Sequence, residues 1–242
     1  MTKPLLLGLL LALAGPAAAQ HTELIGRAGL GLLRFDGRDA ARVSTVNYGG
    51  DFEEGGYTNN PYGRRLGTGF GLAARGPRVG PRRGLVALEV GYDWLRSRTD
   101  IAYVDYFDQF GIARYAATGT THLLTNHIGA FLGLGRRFGL KSKNINLDVL
   151  AGPEAAFVVV LYEKGSGTFN GAARWRTDRP RNGATADVRL RADLTAWHRR
   201  LGLTASYSHG LSNYRRNLDG LDQQLYSRVL RLGLAYRLRG KQ

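Results

Sequence analysis

The sequence predicts an all-β chain: an eight-stranded antiparallel up-and-down transmembrane β-barrel with long loops at one end and short turns at the other. Three observations carry that expectation. Eight segments alternate in character with a period of two, which sends the two residue sets to opposite faces of a strand. One set is leucine-rich, and the other is glycine, threonine and charged residues of both signs, so the first suits lipid and the second a hydrated interior. The connections also alternate, long after segments one, three, five and seven and short after two, four and six, as transmembrane barrels require. The 34 glycines recur inside the segments, where a helix would lose about 1 kcal/mol for each.

Residues 1–19 read as a signal peptide. Lys3 precedes a leucine-rich run, Gly15-Pro16 breaks it, and Ala17-Ala18-Ala19 supplies small residues for cleavage, leaving a single domain over 20–242. The apolar run is shorter than the roughly 20 residues that span a bilayer as a helix. The chain has no cysteine, which excludes disulfides and thiolate metal sites. The net charge of +15 alone would suggest nucleic acid, but export and the placement of the charge argue against that partner.

The first segment, 24–35, sets Leu24, Ala28, Leu30 and Leu32 against Arg27, Gly29 and Gly31. The second, 66–74, sets Leu66, Phe70 and Leu72 against glycines, and the Gly-Pro punctuation of 76–83 makes a turn. In the third, Val86, Leu88, Val90, Tyr92 and Trp94 oppose Ala87, Glu89, Gly91 and Asp93, two carboxylates that need partners inside. The fourth sets Leu124, Ile128, Ala130, Leu132 and Leu134 against Thr125, His127 and glycines. The fifth begins with Ile145, Leu147, Val149 and Ala151 against Asn146, Asp148 and Gly152. Pro153 then predicts an edge or a bulge that would shift the faces, which stay unassigned over 155–162. The sixth sets Ala186, Val188, Leu190, Ala192, Leu194 and Ala196 against Asp187, Arg189, Arg191, Asp193 and Thr195. The seventh, 201–208, and the eighth, 226–238, complete the set, with Arg231 and Arg237 on the inner face of the last. Segments three to five exceed the 9–11 residues or so needed to cross a bilayer, so they project beyond it as a ribbon. An extra hairpin from 42–48 or 101–115 would make ten strands. Phe35, Trp94, Tyr207 and Tyr236 are expected as interfacial aromatics. A soluble exported barrel of lipocalin type would carry the opposite parity, with its apolar set inside.

The stretch Ser206-Tyr207-Ser208-His209-Gly210-Leu211-Ser212-Asn213 resembles the Tyr-x-x-Gly-Leu-x-Asn of the porin-like outer-membrane β-barrel family common in Bacteroidetes. Gly152-Pro153-Glu154 and the closing Leu232-Gly233-Leu234-Ala235-Tyr236-Arg237-Leu238 are similar to that family's patterns, although Arg239-Gly240-Lys241-Gln242 runs past the usual terminal aromatic. The resemblance implies an outer-membrane location and no defined activity.

The candidate interior network is Arg27, Glu89, Asp93, Asp148, Asp187, Arg189, Arg191, Asp193, Arg231 and Arg237, with His127 on the same face. In so narrow a barrel, a salt-bridged filling is the expected state and a selective channel the alternative. Arg174, Arg176, Arg179 and Arg181 are candidate contacts for lipopolysaccharide phosphates, which the planar guanidinium fork suits. A further basic set (Arg75, Arg78, Arg82, Arg83, Arg136, Arg137, Lys141, Lys143, Arg199, Arg200, Arg239, Lys241) is expected on the short-turn rim. No catalytic, metal or cofactor residues are expected: Ser208 and His209 are adjacent on a strand and point apart, and His122 and His127 have opposite parity. The anticipated protein is therefore a monomeric barrel with outer-membrane lipids and lipopolysaccharide as partners. The barrel assembly machinery would insert it, and its role would be structural or surface-interacting, with a small porin-like diffusion channel as the alternative.

Overall fold

The structure, a computed structural model, describes residues 21–49, 55–108, 111–140, 145–183, 185–214 and 224–239. The segment expected as a signal peptide, Lys141, Lys143 and Lys241 lie outside the described residues. In chain order the strands are β1 (His21–Thr22), β2 (Leu24–Asp36), β3 (Val43–Gly49), β4 (Tyr57–Thr58), β5 (Arg65–Val79), β6 (Gly84–Asp108), β7 (Gly111–Gly139), β8 (Ile145–Phe169), β9 (Ala173–Pro180), β10 (Ala186–His198), β11 (Leu201–Gly210) and β12 (Tyr226–Arg239).

Eight of them close a ring in the order β2-β5-β6-β7-β8-β10-β11-β12, every neighbour antiparallel and β12 returning to β2. Closure leaves the barrel no sheet edge. At the closing seam Gly29 stands opposite Gly233, and a side-chain carbon on either would run into the backbone of the other strand. The tight β10–β11 turn pairs His198 with Leu201 and holds Arg199 at φ 54°, the left-handed conformation that two-residue hairpins favour.

Parity holds as the alternation predicts, and it is inside-out. Along β10 every even-numbered residue is exposed and every odd-numbered one buried. Leu203 is 68 % exposed on the outer surface, whereas Arg189 inside is fully covered. An apolar belt around a polar interior is the architecture of transmembrane barrels.

Several expectations need correcting. Pro153 neither bulges β8 nor marks an edge: the pairing with β10 runs without a break from Ala186↔Phe157 to His198↔Ile145, and Pro153 lies on the outer face. The irregularity sits further along, between Asn126↔Val160 and His127↔Val158 on the β7 side. Phe35 is not an interfacial aromatic; it is buried inside with Leu33, whereas Trp94, Tyr207 and Tyr236 face outward. Arg75 and Arg137 belong to the interior and not to the rim, because β5 and β7 continue past them to Val79 and Gly139.

The barrel has eight strands, not ten. The long β6, β7 and β8 rise above it, but not as an open ribbon. β3 runs parallel beside the upper half of β6, β4 pairs with β3, Gly56 bridges to Thr177 of β9, and β9 pairs with β8. These segments with β7 enclose a second, smaller core of Val46, Tyr48, Ile101, Val104, Ala117, Phe169 and Trp175. The 36–65 stretch is thus partly a wall of this outer compartment.

Candidate functional site: a filled interior beneath an outer compartment

The inward side chains meet in successive layers from the short-turn end upward. Lowest, Arg137 holds Glu23 at 2.8 and 3.0 Å and Asp148 at 2.7 and 2.9 Å, each with two bonds. The Trp197 indole donates to Asp148 at 2.8 Å, and the Arg237 guanidinium lies 4.1 Å from the centre of the indole ring. Ile25 and Ala235 pack on Trp197, with Leu85, Ala87, Phe131 and Leu150 as a second apolar cluster.

Above this, three guanidiniums surround two carboxylates. Arg27 donates to Glu89 at 2.6 Å and to Asp193 at 2.9 Å; Arg75 does the same at 2.7 and 2.8 Å, and Arg191 at 2.8 and 2.7 Å. Arg191 also stacks on Phe131 at 4.6 Å. In the next layer Arg231 bridges Asp93 at 2.7 Å and Glu154 at 2.9 Å, while Ser208 accepts from Arg231 and donates to Glu154. Arg189 then joins Glu154 at 3.0 Å to Asp187 at 2.6 Å, and Asp187 also accepts from Tyr214 and Ser227.

In the middle of the barrel Arg27, Arg75, Arg189, Arg191 and Arg231 therefore face Glu89, Asp93, Glu154, Asp187 and Asp193, equal in number and opposite in sign. Such matching is what makes buried charge tolerable. Over it lies an apolar layer that includes Leu33, Phe35, Tyr62, Leu95, Leu123, Tyr214, Leu225 and Val229, with the Phe35 ring edge-on to Tyr62 and Tyr214, both at 5.1 Å. A cavity of about 60 Å³ lies among Arg27, Glu89, Asp93, Glu154, Arg191, Arg231 and the glycines of the wall, room for a few waters.

All ten residues proposed for the interior network are thus in the interior: eight in the central layers, and Asp148 and Arg237 in the lowest. Sequence reasoning missed Glu23, Arg75, Arg137 and Glu154. The signal was there, since each continues the inner parity of its neighbours: Ile25 and Arg27, Gly71 and Ala73, Gly133 and Gly135, and Leu150 and Gly152 respectively.

Arg174, Arg176 and Arg179 lie on β9 and Arg181 just beyond it, and the four do not form one cluster. Arg174 and Arg176 are exposed, Arg176 beside Asp178, and Tyr162 donates to Asp178 at 2.8 Å. The Arg176 hydrogen bond first, then that of Tyr162, holds the Asp178 carboxyl below its ordinary range. Arg179 and Arg181 instead cover the Tyr57 ring at 5.5 and 6.0 Å. Arg181 also donates to the Thr58 carbonyl at 2.9 Å and lies 3.4 Å from Glu163, whose other oxygen accepts from the Thr58 amide and hydroxyl. This clasp ties β4 to β8. Ser208 points inward and His209 outward, so they do not form a proton-transferring pair, and among the described residues no three His, Cys, Asp or Glu side chains gather as a metal site.

No family model and no curated protein matches the chain. Among solved structures it is similar to Ail, the attachment invasion locus protein of Yersinia pestis, crystallised with the heparin analogue sucrose octasulfate. The two share 12% identity over 90% of this chain and 99% of that one, with a TM-score of 0.34. It is also similar to the N-terminal β-barrel domain of Pseudomonas aeruginosa OprF, at 12% identity over 89% and 99% of the two chains and a TM-score of 0.28.

Proposed function

We propose that the chain is an outer-membrane β-barrel with a filled polar interior, acting through its long-loop end as a structural or surface-interaction protein. The observation that carries this reading is the layered ion-pair network between two apolar closures, Trp197 with Ile25 and Ala235 below and the Phe35 cluster above. An interior packed in this way opposes the alternative, a small diffusion channel, which the cavity beside the glycine-rich wall would favour. The outer compartment supplies the interacting surface. Its wall is held by strand pairing and by the Glu163–Arg181–Thr58 clasp, and it displays Arg174, Arg176 and the outward rings of Tyr103 and Phe107. Outer-membrane lipids and lipopolysaccharide surround the barrel, the barrel assembly machinery inserts it, and it works as a monomer without enzymatic activity. Its family is the porin-like barrels common in Bacteroidetes, on the short motifs of strands β8, β11 and β12.

The absence of cysteine makes the orientation testable. Cysteines introduced one at a time as Ala172→Cys at the outer tip and Arg82→Cys in a short turn are to be labelled in intact cells with a membrane-impermeant maleimide. Ala172→Cys is expected to label at once, and Arg82→Cys only after the outer membrane is permeabilised. The reverse pattern, or equal labelling, overturns the reading.

A further inference from the structure

The outward face carries an arrangement that costs stability unless something outside offsets it. Arg34 of β2 and Arg228 of β12 are direct cross-strand partners, and His209 of β11 is the partner of Arg228 on its other side. Three basic side chains thus lie in one row across three strands, on the parity of the apolar belt. Like charges directly opposite one another destabilise a sheet. Arg228 donates to the carbonyls of Gly210 and Ser227, lies over the Tyr226 ring at 5.9 Å and is 3.6 Å from the half-exposed Asp36, its one carboxylate partner among the described residues. Arg34 is exposed. Across β5, the exposed Arg96 donates to the Thr68 carbonyl and stacks on the outward Trp94 at 6.0 Å, extending the arc.

Position supplies the second observation. The row immediately below is Tyr207, Leu230, Leu32 and Thr68, largely apolar, and above Arg228 and Arg34 the next outward pair is Tyr226 with Asp36. Two residues of strand separate the rows, about 7 Å. The arginines therefore stand just beyond the upper edge of the lipid-facing surface, at headgroup depth, above aromatic rings suited to that interface.

We propose that Arg34, Arg228 and Arg96, with His209, bind the phosphates of lipopolysaccharide in the outer leaflet. Planar guanidiniums take phosphate oxygens in pairs, and a bound phosphate turns the Arg34–Arg228 repulsion into a shared attraction. The site rests on the outer-membrane reading above, and it is distinct from the arginines of β9.

The test uses the mature barrel folded into zwitterionic bilayers, with lipopolysaccharide added either with its phosphates or after enzymatic dephosphorylation. Parallel arms use phosphatidylglycerol vesicles and inorganic phosphate, and heat-dependent gel mobility reports unfolding. Phosphorylated lipopolysaccharide is expected to raise the unfolding midpoint. The Arg34→Gln/Arg228→Gln variant should bind it at least about tenfold more weakly, the loss of one charge-assisted hydrogen bond. Without lipopolysaccharide the same variant should remain folded with an unfolding midpoint close to the native one, since the relief of the like-charge pair offsets the lost Arg228 contacts to Gly210, Ser227 and Asp36. The proposal is overturned if the variant responds as the native chain does, or if dephosphorylated lipopolysaccharide, phosphatidylglycerol or inorganic phosphate is equally effective. A protein that fails to insert into any bilayer overturns the membrane reading as well, and gel mobility identifies that outcome separately.

Discussion

Replacing Glu154 by alanine is expected to lower the stability of the folded barrel by about 3–5 kcal/mol, the cost of leaving buried charges uncompensated. Glu154 is the junction of the interior: Arg189 at 3.0 Å, Arg231 at 2.9 Å and Ser208 at 2.9 Å all donate to it, and Arg191 reaches it at 3.4 Å. Removing the carboxylate strands positive charge on β10 and β12 together, so the damage crosses the barrel. Urea unfolding followed by gel mobility measures the loss. Adding Arg231→Met to the variant should recover part of the stability, because deleting both members of a buried pair costs less than deleting one. Salt bears on the same point. Buried pairs are poorly screened, so the loss should persist at 1 M salt, and a loss that vanishes there would mean a water-filled interior.

Trp197→Ala should cost a similar amount, about 3–5 kcal/mol, by leaving a cavity where a fully packed aromatic stood. The indole is 2% exposed, closes the short-turn end against Ile25 and Ala235, and donates to Asp148. Its loss also leaves the Arg237 guanidinium without a ring to stack on, so stability and the closure at that end fail together. Trp197→Phe keeps most of the packing but not the hydrogen bond, and should lose only about 1–2 kcal/mol. If the alanine variant unfolds like the native chain, Trp197 does not close the barrel.

How much of this was legible in the sequence depended on what interrupted the alternation. β10 is legible residue by residue, because from Ala186 to Ala196 no glycine or proline disturbs a strict period of two. β8 is legible only over its first half. Pro153 suggests a bulge, yet the pairing with β10 runs through it and the register against β7 is the same on either side, Phe131↔Glu154 and Leu134↔Ala151; the expected bulge hides Glu154 one residue further on. Arg75 was hidden by the neighbouring Gly76-Pro77, which are strand residues paired with Leu88 and Ala87.

Phe35 shows a different limit. Its parity is inward, but a period of two does not report where along the strand the interior changes from charged to apolar. The outer compartment was the least visible part. β3 pairs parallel with a strand about 57 positions away (Val43 with Asp100), and non-local pairing leaves no periodic mark in either segment. The β8–β9 hairpin reads as a polar loop because glycines occupy inward positions, Gly165 and Gly167, against which Thr177 and Trp175 lie.

Whether the interior is filled is tested most directly by single-channel recording in planar bilayers, on refolded protein whose heat-dependent gel shift establishes that it is folded. The expected result is electrical silence, because ion-paired layers fill the barrel between Trp197 and the Phe35 cluster, and the cavity beside them has room for a few waters. Steady, reproducible conductance steps from the native chain would contradict it and make the channel reading the correct one.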